Sequence, residues 1–158
     1  MPKIHTAFLN LGSNIEPEAN LRKAIALLKQ RGKILQLSQV WESASVGADG
    51  PNYLNLCLEF KSEFNLRALK GTHLTLIENQ LGRQRSEDKY SPRTIDIDII
   101  LFDDQALHSR DFELVFVVVP LADIYPEYPS PLSNDTISQS AAKMRQKHWI
   151  QKYPLTLN

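Results

Sequence analysis

Two aspartates spaced two positions apart, just after an arginine, are the residues of this chain most able to do chemistry. Asp96 and Asp98 lie in a β-branched, alternating segment, residues 94–102, which predicts a strand. Because side chains alternate along a strand, both carboxylates are expected on one face, with Cα atoms roughly 6 to 7 Å apart. The other face then takes three isoleucines: Ile95, Ile97 and Ile99. Such a pair could hold one Mg²⁺ or two close ions, completed by phosphates and water. The alternative is a strand that simply has a polar face.

Basic residues flank the acidic pair. Arg83, Arg85, Lys89 and Arg93 all precede Asp98 within a short stretch. Arginine presents planar, paired donors that suit phosphate oxygens. Anions and cations in this arrangement favour a polyphosphate bound together with its metal ions. Salt bridges between these arginines and acidic neighbours are the alternative interpretation.

Composition narrows the classes of function. The chain has 158 residues, of which 42% are hydrophobic and 23% charged, and we expect one soluble globular domain over residues 1–158. Lysine plus arginine total 18 and aspartate plus glutamate total 18, so the net charge of zero gives no general attraction to nucleic acid or anionic membrane. Any attraction for phosphate must therefore be local.

Cysteine content and hydropathy indicate the compartment. Cys57 is the only cysteine, which excludes an internal disulfide and predicts a small buried residue in a reducing compartment. No stretch approaches the roughly 18 to 20 apolar residues of a membrane span, and the N-terminus lacks the apolar segment of a secretory signal. We therefore expect a cytoplasmic location.

Alternation, helical spacing and turn residues predict the order strand, helix, strand, strand, helix, strand. The strands are expected at residues 4–11, 33–41, 53–60 and 94–102, and the helices at residues 17–31 and 65–81. Pro17 suits the first turn of one helix, near Asn14 or Glu16. Asn65 is a plausible cap of the other helix, and Gly82 is a plausible end.

This order is the ferredoxin-like βαββαβ arrangement, an α+β fold in which both helices lie on one face of an antiparallel sheet. The other face would then be free for ligands. In the third strand, one face takes four apolar residues: Leu54, Leu56, Leu58 and Phe60. Tyr53 and Asn55 take the opposite face. Beyond Asp104 we expect a C-terminal extension with an apolar run at 112–119, a helical turn at 120–124 and a polar helix at about 135–147.

Together these segments resemble the 6-hydroxymethyl-7,8-dihydropterin pyrophosphokinase family of folate biosynthesis, over roughly the first 125 residues. The motifs that carry the resemblance are, in chain order, Leu11-Gly12-Ser13-Asn14, Tyr53-Leu54-Asn55, Glu78 with Gly82-Arg83-Gln84-Arg85, Pro92-Arg93-Thr94-Ile95-Asp96-Ile97-Asp98, and Pro120-Leu121-Ala122-Asp123-Ile124-Tyr125-Pro126. Each motif is weak alone, but the ordered set is specific.

The resemblance implies transfer of the β,γ-diphosphate of ATP to the hydroxymethyl group of the pterin, with release of AMP. It implies that Asp96 and Asp98 bind two Mg²⁺ ions and that arginines place positive charge on the phosphates. The catalytic residues it implies are Arg83, Arg93, Asp96 and Asp98. The ATP contacts it implies are Arg83, Arg85, Tyr90, Arg93 and Ile99.

On the pterin side, the resemblance gives Asn55 the amino-pyrimidinone edge of the ring, where an amide can both donate and accept. Phe116 would stack on the flat ring. The full set of implied pterin contacts is Ser43, Ala44, Val46, Tyr53, Asn55, Tyr90 and Phe116. From the residues alone, Tyr53 could simply begin a strand and Phe116 could be a core residue.

The connection before Phe116 departs from the family pattern. Residues 107–115 are several positions shorter than usual and lack a Pro-His pair. His108 and Arg110 lie there, but the family roles do not transfer to them. We expect weaker ATP binding from this shortened loop, which leads into the last core strand that the resemblance implies.

Two other functions are compatible with the residues. A nucleotidyltransferase also combines Gly-Ser with a later Asp-x-Asp, although here a strand pair and a helix separate the two elements. A non-catalytic pterin-binding or nucleotide-binding module could use the same scaffold. The expected partners are the small molecules ATP and hydroxymethyl-dihydropterin, without nucleic acid or membrane, and the chain is expected to be a monomer or a weak dimer.

Overall fold

The computed structural model describes residues 2–45, 49–84 and 92–157 of the chain. The strands within these residues are β1 His5–Ser13, β2 Lys33–Leu37, β3 Val40–Ser43, β4 Tyr53–Ser62, β5 Asp96–Phe102, β6 Gln105–Ala106 and β7 Ile150–Tyr153. The helices are α1 Pro17–Lys29, α2 Leu66–Ala68, α3 Thr75–Gln80, α4 Val115–Ile124 and α5 Ile137–Lys147. A π-helical turn, Leu69–Leu74, joins α2 to α3, and a 3-10 helix, Ser109–Glu113, precedes α4.

All the strands form one sheet. Its order is β6-β5-β1-β4-β3-β7, and β2 also pairs with β4. β1 lies between β4 and β5 and is antiparallel to both. The predicted ferredoxin-like core with a C-terminal extension is therefore confirmed, and β6 and β7 are additions that the sequence did not indicate.

The helix ends follow the expected residue chemistry. Pro17 is the first residue of α1, a position where a backbone N–H would have no partner within the helix, so proline loses no hydrogen bond there. The side chain of Asn65 accepts from the backbone nitrogen of Ala68 at 2.8 Å, which caps α2. Gly82 follows α3 with a φ of 82°, a conformation that glycine adopts without strain. Within the described residues, none of the helices is long and apolar enough to cross a membrane.

The first face of the sheet packs on α1 and on the helical segment 66–80. Alternate residues of the central strands supply it: Leu9, Leu11, Leu54, Leu56, Leu58, Phe60, Ile97 and Ile99. The helices contribute Leu21, Ala24, Ile25, Leu28, Leu69, Leu74 and Ile77 to the same core. The predicted facing of the leucines of β4 and of the isoleucines around β5 is confirmed.

The second face of the sheet is covered over half its area by α4 and α5. The covered half consists of Phe8, Trp41, Cys57, Ile100 and Leu101, which pack against apolar residues of the two helices. Cys57 is fully buried there, as its apolar surroundings predicted. The expectation that this whole face is free for ligands is wrong, because its apolar half needs a partner layer.

A β-bulge divides β5 at the edge of the covered half. The register between β1 and β5 shifts between Phe8 and Leu9, so that Ile100 has no partner on β1. Ile100 and Leu101 then both join the apolar cluster on the second face. Before the bulge, the residues that face this side are the two aspartates of the strand.

Two further predictions of local structure are wrong. Residues 33–41 form the two short strands β2 and β3 rather than one strand, and only β3 pairs with β7. The apolar run at 112–119 leads into helix α4 instead of forming the last core strand. Apart from Glu113 this run is apolar throughout and shows neither a period of two nor one of 3.6, so its composition alone could not decide between strand and helix.

Candidate functional site

The uncovered half of the second face lies where β1 ends and where β4 and β5 begin. We call it the open half, meaning Gly12, Tyr53, Asn55, Asp96 and Asp98. Asp96 pairs with Gly12, and Gly12 pairs with Asn55, so one row of residues crosses three strands. The carboxylates of β5 and the amide of β4 therefore face the same space, as the alternation of their strands predicted.

Gly12 leaves room between the two sides of the open half. A Cβ at this position would lie 3.2 Å from Oδ1 of Asn55 and 3.7 Å from Cδ2 of Tyr53. The first of these distances is tighter than ordinary van der Waals contact. A side chain at position 12 would therefore press on Asn55, and glycine keeps the gap toward Asp96 open.

Asp96 is held by two arginines, one on each carboxylate oxygen. Nη1 of Arg83 donates to Oδ1 at 2.6 Å, and Nη1 of Arg93 donates to Oδ2 at 2.9 Å. Arg83 also donates to Oε2 of Glu78 at 2.7 Å, and that oxygen accepts from the backbone nitrogen of Ile97 at 2.9 Å. Charges thus alternate from Glu78 through Arg83 and Asp96 to Arg93. Each oxygen of Asp96 keeps a second lone pair for a further partner.

The two arginines differ in burial. The side chain of Arg83 is 11% exposed and that of Arg93 is 26% exposed. Burial alone would lower the pKa of Arg83, but the carboxylates of Asp96 and Glu78 raise it above its ordinary value. Nε of Arg83 is buried and has no hydrogen-bond partner among the described residues. A buried donor without an acceptor costs free energy, and an anionic oxygen would relieve that cost.

Asp98 is exposed on one side, and the protein atoms on its other sides withdraw water from the carboxylate. This desolvation, together with the negative charges of Asp96, Asp111 and Glu78, raises the pKa of Asp98 to about 7. The 3-10 helix Ser109–Glu113 supplies Asp111, so the shortened connection brings a carboxylate near Asp98. The negative charges of Asp96, Asp111 and Glu78 around Asp98 favour a bound cation.

The donors of the open half fit a divalent cation whose coordination a substrate completes. Asp96 and Asp98 are hard oxygen ligands on one face of β5, and Asp111 adds a third negative charge near Asp98. Among the described residues, no group of three or more histidine, cysteine, aspartate or glutamate side chains could hold a metal. Mg²⁺ is commonly held by one or two carboxylates together with phosphates and water. Asp96 and Asp98 are the residues that would hold it here.

Asn55 is the buried amide on the other side of the gap. Its Nδ2 donates to the backbone oxygen of Trp41 at 3.2 Å and to Oγ of Ser43 at 2.8 Å. Both N–H groups are therefore used within the protein, and Oδ1, which lies beside Gly12, is the atom left for a ligand. The sequence led us to expect that this amide both donates to and accepts from a ligand. With its N–H groups bonded within the protein, we now expect it only to accept a hydrogen bond from the ligand. Ser43, itself 3% exposed, orients Asn55.

Tyr53 and Ala44 lie at the edge of the open half. Tyr53 begins β4 and is half-buried, and this burial raises the pKa of its hydroxyl. Ala44 follows the last residue of β3 and is exposed.

Phe116 lies in the first turn of α4, partly buried against the second face. Pro120 lies inside the same helix and has no N–H to donate to the carbonyl of Phe116. With the amide of Asn10 oriented to suit its neighbours, its Nδ2 donates to that carbonyl and to the carbonyl of Leu56, both at 3.2 Å. Asn10 also pairs with Asp98 across the sheet, so this bond fixes the start of α4 beside the row that contains Asp98.

Four predicted site residues remain to be accounted for. Arg85, Tyr90 and Val46 lie outside the described residues. The side chain of Ile99 is 6% exposed in the core of the first face. Any contact of Ile99 with a nucleotide would therefore involve its backbone.

A cavity of about 430 Å³ lies at the opposite end of the sheet. Its lining residues are Thr6, Phe8, Gln36, Glu59, Asp103, Asp104, Ile124 and Tyr125. Three of them are carboxylates and none is a lysine or arginine, so the cavity does not suit a polyphosphate. It also contains none of the predicted site residues.

Sequence reasoning noted Glu78 in a motif but gave it no role. The apolar residues Leu74, Ile77 and Leu81 surround it at helical spacing, and it is 5% exposed. A glutamate on the buried stripe of a helix requires a partner, and that requirement is the signal from which an ion pair with Arg83 could have been predicted.

Comparisons with known proteins indicate one family. The family model described as 7,8-dihydro-6-hydroxymethylpterin-pyrophosphokinase (HPPK) matches residues 8–126. A 2-amino-4-hydroxy-6-hydroxymethyldihydropteridine pyrophosphokinase of Bacillus subtilis (strain 168) is 34% identical over 161 residues, covering 93% of this chain and 95% of the relative. The protein of the same description from Synechocystis sp. is 35% identical, covering 85% of this chain and 74% of the relative.

Solved structures give the same fold. A crystal structure of a Plasmodium falciparum HPPK-DHPS triple mutant with SDX-DHP superposes with a TM-score of 0.72 at 16% identity. The match covers 92% of this chain and 45% of that chain, so this chain spans less than half the length of the HPPK-DHPS protein. At this identity the likeness concerns the fold alone.

Proposed function

Because the chain belongs to the 7,8-dihydro-6-hydroxymethylpterin-pyrophosphokinase family, we propose that Asp96 and Asp98 bind the divalent cations of its diphosphate transfer. The chain is a pyrophosphokinase of folate biosynthesis, which transfers diphosphate from ATP to the hydroxymethyl group of 6-hydroxymethyl-7,8-dihydropterin and releases AMP. The observation that carries the proposal is the row from Asp96 across Gly12 to Asn55, which sets carboxylates and arginines opposite a buried amide.

The residues of this chain divide the work between two sides of the gap. Arg83 and Arg93 would contact phosphate oxygens and stabilise the charge that develops as the diphosphate transfers. Nε of Arg83, buried without a partner among the described residues, supports that role. Mg²⁺, when bound by Asp96 and Asp98, would neutralise the triphosphate and lower the pKa of the attacking hydroxyl.

On the pterin side, Oδ1 of Asn55 would accept a hydrogen bond from the amino-pyrimidinone edge. Phe116 and Tyr53 would pack against the flat ring, where an aromatic face supplies contact area without charge. Their positions, one on α4 and one at the start of β4, would hold the hydroxymethyl group toward the carboxylates. In this arrangement the attacking oxygen would face the β-phosphorus of ATP.

The test is AMP release by the purified protein with Mg²⁺, ATP and the hydroxymethyl-dihydropterin. We expect Asp98→Asn to lower kcat by at least about a hundredfold to a thousandfold, since it removes a cation ligand. Asp104→Asn is the matched control, because Asp104 lies just beyond the other end of β5 in a left-handed conformation that asparagine tolerates. Normal AMP release by Asp98→Asn, or an equal loss in Asp104→Asn, would contradict the proposal.

The shortened connection supports a second, separate expectation. Residues 107–115 contribute Asp111 near Asp98 and no Pro-His pair. We propose that ATP therefore binds more weakly than in family members with the longer loop. Calorimetry with a non-hydrolysable ATP analogue, run beside a family member whose sequence has the longer loop, measures this difference, and equal affinities would contradict it.

A further inference from the structure

Asn14 connects the two strands that carry the two sides of the open half. It follows Ser13, the last residue of β1, and is 5% exposed. Its backbone nitrogen donates to the carbonyl of Arg93 at 3.1 Å, and its Oδ1 accepts from the backbone nitrogen of Arg93 at 2.8 Å. In the other direction, its Nδ2 donates to the carbonyl of Pro51 at 3.3 Å. One buried residue thus bonds both to the chain before β5 and to the chain before β4.

The bonds to Arg93 constrain the backbone from which its guanidinium extends. Both polar groups of that backbone are bonded to Asn14, and the side chain ends on Oδ2 of Asp96 at 2.9 Å. A shift of this backbone would move the guanidinium relative to the carboxylate. Since misplacement of a reacting group by about 1 Å can cost a hundredfold in rate, this constraint bears directly on turnover.

The bond to Pro51 acts on the other side of the gap. Pro51 lies two residues before Tyr53, the first residue of β4. Its carbonyl is bonded to the same side chain that fixes Arg93. The placement of the pterin side is thereby tied to the placement of the phosphate side.

We infer that Asn14 is a positioning residue for diphosphate transfer: it fixes Arg93 beside Asp96 and links that arrangement, through Pro51, to the pterin side. The inference rests on the proposed function, in which Arg93 contacts phosphate and the start of β4 contacts the pterin. Asn14 acts through Arg93 and Pro51, so its removal changes rate and affinity as well as stability.

Asn20 provides a matched control for a purely structural role. It is also a buried asparagine, 7% exposed, and its Nδ2 donates to the carbonyl of Ile15 at 2.6 Å within the adjacent turn. That bond reaches neither β4 nor β5. Asn20→Ala should therefore lower Tm, since it loses a buried hydrogen bond, and should leave kcat and both KM values within about twofold.

Two substitutions of Asn14 separate its bonds. Asn14→Ala removes both side-chain bonds, and we expect kcat to fall about tenfold or more. Asn14→Asp keeps the acceptor for Arg93 and loses the donor to Pro51, so we expect a smaller loss in kcat and a severalfold higher KM for the pterin. The inference would be overturned if kcat and both KM values of Asn14→Ala stay within twofold of the wild type. It would also be overturned if Asn20→Ala loses as much activity as Asn14→Ala.

A double-mutant cycle tests whether Asn14 acts through Arg93. Arg93→Lys keeps a cation and removes the guanidinium fork, so Asn14→Ala should lower kcat less in that background than in the wild type. Equal losses in both backgrounds would contradict the coupling.

Amide hydrogen exchange gives a readout that does not depend on activity. In Asn14→Ala the amide of Arg93 should exchange faster, because its acceptor is gone, while its exchange stays unchanged in Asn20→Ala. Unchanged exchange at Arg93 in Asn14→Ala would overturn the positioning role. Absence of AMP release by the wild-type protein would instead count against the proposed function.

Discussion

The covered half and the open half of the second sheet face share the strands β1, β4 and β5, yet they have opposite chemistry. In β5 the change occurs within a few residues, from the two aspartates to Ile100 and Leu101 beyond the bulge. In β1 it occurs between Phe8 and Gly12. Helices α4 and α5 cover the apolar half and leave the polar half accessible.

This difference separates stability from chemistry along a single face. Apolar residues of the covered half stabilise the fold by burial. The open half instead carries two carboxylates and a buried amide, and Arg83 and Arg93 are bonded to Asp96 beside it. The comparison predicts that substitutions in one half change the free energy of unfolding, and that substitutions in the other half change turnover. The following predictions test whether stability and turnover separate in this way.

The largest effect is expected from the aspartates, and the two should differ in stability. Asp96→Ala and Asp98→Ala should each lower kcat by about a hundredfold or more. Asp96→Ala should also lower the free energy of unfolding by about 1 to 3 kcal/mol, because Arg83 and Arg93 lose a partner. Asp98→Ala should leave Tm unchanged or raise it, because neighbouring carboxylates repel Asp98. Thermal unfolding with EDTA present checks this, and equal losses of Tm would contradict it.

In the covered half, Leu121→Ala should reduce stability and leave the chemistry intact. Leu121 is fully buried in α4, so we expect a loss of about 2 to 5 kcal/mol in the free energy of unfolding. Cys57 lies in the same cluster and its burial raises the pKa of its thiol, so it should react with thiol reagents only after opening.

The labelling rate of Cys57 therefore reports this loss of stability. It should rise in Leu121→Ala, while KM for the pterin and for ATP stays within about twofold at a temperature where the variant is folded. A changed KM without faster labelling would show that the two halves are not separable.

A smaller effect is expected from Gly12→Ala, which fills the gap between the two sides. The new Cβ would lie 3.2 Å from Oδ1 of Asn55, which is held in place by its bonds to Trp41 and Ser43. We expect KM for the pterin to rise about tenfold, because a displaced Asn55 would lose one directed hydrogen bond to the pterin. Gly71→Ala is the control, because no atom of the described residues lies within 4 Å of a Cβ there. An unchanged pterin KM in Gly12→Ala would show that Asn55 does not contact the pterin.

The smallest effect is a pH dependence at the far end of β5. Hydrogen bonds from Nδ1 of His5 and from the backbone nitrogen of Thr6 hold the pKa of Asp103 below its ordinary value of 3.8. The unfolded chain then binds the proton more readily, so this contribution to stability is complete above about pH 4 and is lost as pH falls further.

Asp103→Asn removes that titration and keeps an acceptor. Its free energy of unfolding should therefore fall less steeply than that of the wild type between about pH 4 and about pH 2. Parallel curves would show that Asp103 does not contribute. Turnover at neutral pH should be unchanged, since Asp103 lies outside the open half.

The sequence predicted those parts of the fold and site that depend on local periodicity. Alternation placed Asp96 with Asp98 and Tyr53 with Asn55, because a period of two fixes the face of every strand residue. It could not predict that α4 covers half of the second face, since residues 112–119 are apolar without a period. The contacts of Asn14 with Arg93 and Pro51 also escaped prediction, because they join residues far apart in sequence through backbone groups that any residue type possesses.

The ion pairs of Asp96 show a different limit. The sequence offered phosphate binding and salt bridging as alternatives for the arginines. In the structure Arg83 and Arg93 both pair with Asp96, and Nε of Arg83 remains without a partner among the described residues. Residue types therefore identified the charged groups, but only coordinates could show which oxygen each arginine contacts.

The most direct test of the account is where a divalent cation binds. Mn²⁺ added to ¹⁵N-labelled protein with a non-hydrolysable ATP analogue broadens the amide signals of residues close to the ion. We expect broadening centred on Gly12, Asp96 and Asp98, and we expect this broadening to disappear in Asp98→Asn. The cavity at the other end of the sheet has three carboxylates, Glu59, Asp103 and Asp104. Broadening centred there instead would contradict a cation site at Asp96 and Asp98.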